Sequence, residues 1–102
     1  MITITIGLSS RTIKDFSPSW LREQIDARRS AGADPVVRVD IKTTCANMTL
    51  ATPGDPGNGG AGRPPNHQER EIFDLWDKRG LNRADFIIGQ LVAFLSQIKS
   101  WC

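Results

Sequence analysis

Fourteen residues, Pro53-Gly-Asp-Pro-Gly-Asn-Gly-Gly-Ala-Gly-Arg-Pro-Pro-Asn66, hold five of the nine glycines and four of the six prolines of this 102-residue chain. Proline removes backbone donors, and glycine loses the most conformational freedom on ordering. The segment is therefore expected to join neither a helix nor a sheet ladder, and to act as a flexible connector within one domain spanning residues 1–102. It separates a first half that reads as strand, helix and strands from a second half that reads as two helices.

The first half carries two clear period-two patterns. Ile2, Ile4, Ile6 and Leu8 alternate with Thr3, Thr5 and Gly7, which predicts a strand with the aliphatic side chains on one face. Val37, Val39 and Ile41 alternate with Arg38, Asp40 and Lys42, and Met48 with Leu50 suggests a short third strand over about 47–52. Between them, Ser17-Pro18 reads as an N-cap followed by proline at the first helical position, and Gly32 as the left-handed stop. That spacing predicts a helix over about 18–31.

In the second half, Asn66 and Glu69 form a capping-box pair ahead of the arc Ile72, Phe73, Leu75 and Trp76, and Gly80 ends that helix. Asn82 with Asp85 reads as the cap of a last helix. Ile87, Ile88, Leu91, Val92, Phe94, Leu95, Ile98 and Trp101 cover about half the circumference of that helix, which places it centrally, against the sheet and its neighbour. The width of the arc also predicts surplus apolar surface for a homodimer or partner.

The fold class that follows is α+β. A small mixed three-stranded sheet of order β-α-β-β is followed by the Gly/Pro loop and two C-terminal helices packed on the sheet. The strand–helix–strand connection predicts that the first two strands are parallel. The Thr3, Thr5, Arg38 and Lys42 face is expected to point to water.

Function is less legible. The net charge is +2, with seven bases and five acids before residue 53 and six of each after it, too balanced for a non-specific nucleic-acid binder. No run of residues is long and apolar enough to span a bilayer, no leader is visible, and Cys45 and Cys102 are expected to be free thiols in a reducing cytoplasm. His67 stands one turn before Glu71, a spacing open to metal binding or proton transfer, but two groups do not close a site. The glycine run lacks the ending of a phosphate-binding loop.

No catalytic residue, metal site or cofactor is therefore expected, and the chain reads as a non-catalytic interaction or regulatory module. Its partner is a protein or a second copy, with no membrane and no nucleic acid expected. The alternative is a small nucleic-acid-binding regulator using the basic face of the first helix. Candidate partner-binding residues are Trp20, at an element end beside charged residues, and Arg22, Arg28 and Arg29 on the same helix.

Overall fold

The computed structural model describes residues 1–53, 59–60 and 64–101. Its elements run β1 (Ile2–Ile6), β2 (Ser9–Thr12), α1 (Pro18–Ser30), β3 (Val37–Lys42), β4 (Asn47–Ala51), β5 (Gly59–Gly60), α2 (His67–Lys78) and α3 (Ile88–Lys99). The class is α+β. The sheet differs from expectation in size and direction: it has the order β2-β1-β3-β4-β5 and every pairing is antiparallel.

The cause is a hairpin between β1 and β2. Ile6 pairs with Ser9 across Gly7-Leu8, with Gly7 at φ 61°, the left-handed conformation that two-residue hairpin turns require. The chain has thus reversed before α1 begins. α1 carries it from β2 to β3, and these two strands run parallel with β1 between them, so β3 lies antiparallel to β1. Leu8, expected on the buried face, is fully exposed in the turn.

The glycine-rich segment also departs from expectation. Gly60 pairs with Met48 and Gly59 with Thr49 at the β4 edge, because glycine, unlike proline, keeps its backbone donor. The expected flexibility of 53–66 falls mostly on 54–58 and 61–63, which lie outside the described residues.

One face of the sheet makes the core. Ile2, Ile4, Ile6, Val37, Val39, Ile41, Met48 and Leu50 join Leu21, Ile25, Ile72, Trp76, Leu91, Phe94, Leu95 and Ile98 in a single cluster. α3 packs against its neighbour α2, as its apolar arc predicts, and also against α1. Within it Leu91, Phe94, Leu95 and Ile98 are buried and Ile88 and Val92 are half-buried, leaving Ile87 as the exposed large residue. The expected surplus is thus mostly consumed inside the fold. Trp76 and Phe94 meet edge to face at 5.2 Å.

Two helix starts follow the sequence. Ser17 Oγ accepts from Trp20 N at 3.2 Å, with Pro18 at the first position. At α2 the Asn66 side chain accepts from Glu69 N and Glu69 Oε1 accepts from Asn66 N, both at 2.8 Å. The third does not: α3 starts at Ile88, six residues beyond Asn82, and its N-cap Ile87 makes no side-chain hydrogen bond. Counting 100° per residue, a helix begun at Arg83 would turn Phe86 about 140° away from Leu91. Both are buried, so the chain must break between them.

Candidate functional site

The four residues expected on the partner-binding helix face divide among different tasks. Trp20 is 8% exposed and belongs to the core, so it is not a surface anchor. Arg11, on β2, lays its guanidinium 5.4 Å from the indole centre. Arg29 Nη2 donates to the Phe86 carbonyl at 2.8 Å while its guanidinium sits 5.0 Å from the Phe86 ring, tying α1 to the segment before α3. Arg28 lies against the Gly7 turn, where a Cβ on residue 7 would collide with its guanidinium. Arg22 is exposed. Arg28 and Arg29 thus contact different segments of the fold.

The surface that the fold does assemble is the other face of the sheet. Because all three helices contribute to one core cluster, the opposite face of β1, β3 and β4 carries no helix. Its rows follow from the register. Thr12, Thr3, Asp40 and Thr49 form one; Ser10, Thr5, Arg38 and Ala51 a second; Lys42 and Asn47 a third. Thr49 Oγ1 donates to Asp40 Oδ1 at 2.8 Å, Thr5 and Ser10 hydroxyls are 3.0 Å apart, and Thr12 Oγ1 donates to Asp15 Oδ2 at 2.9 Å. These bonds orient the polar side chains of this face, and Ala51 at the end of the second row is buried. At one end a shallow cavity of about 250 Å³ is lined by Thr5, Gly7, Val36, Arg38 and Ala51, and Val36 and Leu8 are exposed there. The alternation of Thr and Arg with Ile and Val announces this face in the sequence. Its apolar border is not announced, since Leu8 continues the buried pattern by letter alone.

Other sequence candidates resolve individually. His67 Nε2 and Glu71 Oε1 are 2.8 Å apart, with the His67 side chain 91% exposed; this is a surface i,i+4 pair, and no third His, Cys, Asp or Glu joins a metal-sized group among the described residues. Glu69 is fully buried, and besides closing the capping box its Oε2 accepts from Asn47 N at 2.7 Å. It joins α2 to the start of β4, a role the capping-box letters alone do not reveal. Thr52 is buried too, accepting from Val37 N at 2.9 Å and donating to Pro35 O at 3.3 Å.

The free-thiol expectation fails at Cys45, which is disulfide-bonded; the other cysteine of the sequence, Cys102, lies outside the described residues. Arg83 and Asp85 form a two-point exposed pair at 3.0 and 3.3 Å. The hydrogen bond from Arg83, then its charge, holds the Asp85 carboxyl below the ordinary carboxylate value and raises Arg83 in turn. Among the described residues no helix is long and apolar enough to cross a membrane. Comparison with protein-family models, curated proteins and solved structures finds no match to this chain.

Proposed function

We propose that this domain is a non-catalytic binding module that works by protein–protein contact through the face of its sheet that carries no helix. One observation carries the reading: three helices cover one face only, leaving ordered rows of Thr, Ser, Arg and Lys bordered by exposed Leu8 and Val36. A polar surface with an apolar border suits a protein partner, since interface cores need anchors and rims need hydrogen bonds. The partner is a second protein or a second copy of this chain. The nucleic-acid reading has less to draw on, because Arg29 is spent on Phe86 and Arg28 lies against the Gly7 turn. The cytoplasmic setting expected from the sequence is not part of the proposal, because Cys45 is disulfide-bonded and reducing compartments keep thiols unpaired.

The test is affinity capture from source cells after nuclease treatment, using the wild type, the sheet-face pair Arg38→Glu with Lys42→Glu, and the helix variant Arg22→Glu. The sheet-face pair should lose the captured protein at least about tenfold while Arg22→Glu retains it. Equal retention by both variants overturns the sheet-face assignment. Sub-micromolar binding of the wild type to random-sequence DNA or RNA near physiological salt overturns the protein-binding reading itself.

A further inference from the structure

Cys45 is disulfide-bonded, and the sequence holds one other cysteine, Cys102. Within one chain the only pairing open to Cys45 joins the turn between β3 and β4 to the end of the chain after α3. The described residues beside the two cysteines already lie together. Thr43 and Ala46, from the turn that holds Cys45, line a small cleft with Ile72, Ile98 and Trp101. The chain therefore arrives at this turn one residue before Cys102.

The turn is itself a junction. Thr43 Oγ1 accepts from Cys45 N at 3.2 Å and from Ala46 N at 3.0 Å, which fixes the backbone around Cys45. The Cys45 carbonyl accepts from Asn66 Nδ2 at 2.9 Å, and Asn47 N donates to Glu69 Oε2 at 2.7 Å. Hydrogen bonds thus hold the start of α2 to the turn. The end of α3 meets it through apolar contact alone: Ile98 is buried, and Trp101 is half-buried just beyond the C-cap Ser100.

Two features separate this disulfide from one that the whole fold depends on. Cys45 is half-exposed, within reach of a soluble dithiol, and accessible disulfides are the labile ones. The core cluster draws on all three helices and on β1, β3 and β4, and it does not include Cys45. Breaking the bond leaves that burial intact, so its effect is local.

We propose that Cys45 and Cys102 form a redox clasp that locks the end of α3 onto the β3–β4 turn. A dithiol opens it by giving two electrons and two protons to the sulfur–sulfur bond. Two thiols form, and the dithiol becomes a disulfide. The end of the chain then lifts with Trp101 and uncovers Ala46, Ile72 and Ile98, while the sheet, α1 and the α2 cap keep their places. The clasp is independent of the sheet-face reading.

The linkage is checked first, by mass spectrometry of unreduced, alkylated protein, which should yield a peptide joining Cys45 to Cys102. Hydrogen exchange is then compared with and without excess dithiothreitol. Reduction should raise exchange at least about threefold at residues 43–46 and 98–101 and leave β1 and α1 unchanged. The urea midpoint should fall by about 1 M. Cys102→Ser and Cys45→Ser should both show the reduced pattern with or without the dithiol. Thiol trapping in source cells should find both forms, shifting toward the bond after diamide and toward thiols after dithiothreitol. Free thiols throughout, disulfide-linked dimers, or exchange that reduction does not move overturns the clasp. A bond that stays fully oxidised in cells under dithiothreitol is a fixed link and overturns the switch.

Discussion

The starts of α2 and α3 carry the same kind of letters and meet opposite ends. Asn66-x-x-Glu69 builds a complete reciprocal cap, whereas Asn82-x-x-Asp85 caps nothing and Asp85 turns to Arg83 instead. The difference lies in what each segment must bury. After Asn66 the first apolar residue is Ile72, already on the arc that reaches Trp76, so helix and burial agree from the first turn. After Asn82 comes Phe86, which a continuous helix would turn away from the Leu91, Phe94, Leu95 and Ile98 arc. A cap is worth about 1 kcal/mol, and burying a phenylalanine about 2–3 kcal/mol. Burial wins, and the helix waits until Ile88.

If α3 is held by its arc rather than its cap, the largest effect belongs to the arc. Leu91→Asp buries an unpaired charge and should cost about 3–5 kcal/mol in urea unfolding; a near-unchanged midpoint would make the helix peripheral. Next comes the cap that works. Glu69→Ala strands the Asn66 and Asn47 amides beneath the fold and should cost about 2–3 kcal/mol, whereas a loss near that of an exposed cap would mean that the Asn47 bond adds nothing. Arg29→Ala should cost about 1 kcal/mol by releasing the Phe86 carbonyl, with hydrogen exchange rising in residues 81–87 before the helices.

The smallest effects sit at the cap that fails. Asn82→Ala should stay within about 0.5 kcal/mol, and a loss of a full cap would contradict the start of α3 at Ile88. Asp85→Asn should leave the neutral-pH midpoint unchanged, because the pair with Arg83 is exposed. Its sign is nevertheless defined. With the folded carboxyl below its ordinary value, the contribution is complete above the ordinary carboxyl range and is lost as the pH falls through the lowered folded value. An acid limb of the stability curve that differs measurably between wild type and Asp85→Asn would show the pair to be stronger than its exposure implies.

Much of the framework was legible because it rests on local, repeating signals. The alternation of β1 and β3, the Ser17-Pro18 start, the Gly32 and Gly80 stops and the Asn66 cap each need only neighbouring residues. β2 was not legible, since Ser9-Ser-Arg-Thr12 has no apolar alternation and earns its place by pairing with β1. Without β2 the strand–helix–strand pattern implies a parallel β1–β3 pair, and Trp20 lacks its neighbour Arg11. The arginines of the first helix were visible as charges, but their destinations were not. Arg29 lies 57 positions from the carbonyl it binds.

Period-two aliphatics, capping letters and stop glycines determine, in the linear chain, that β1, β3 and β4 are strands and α1 and α2 helices, and which face of each is apolar, because both periodicities follow from backbone geometry alone. The tertiary structure decided strand direction, the delayed start of α3, the two bonds of Glu69 across to Asn66 and Asn47, and the bond of Arg29 to the Phe86 carbonyl. Each of these is settled by competition between segments far apart in sequence for the same buried space or the same hydrogen-bond partner, and no local pattern records which competitor wins.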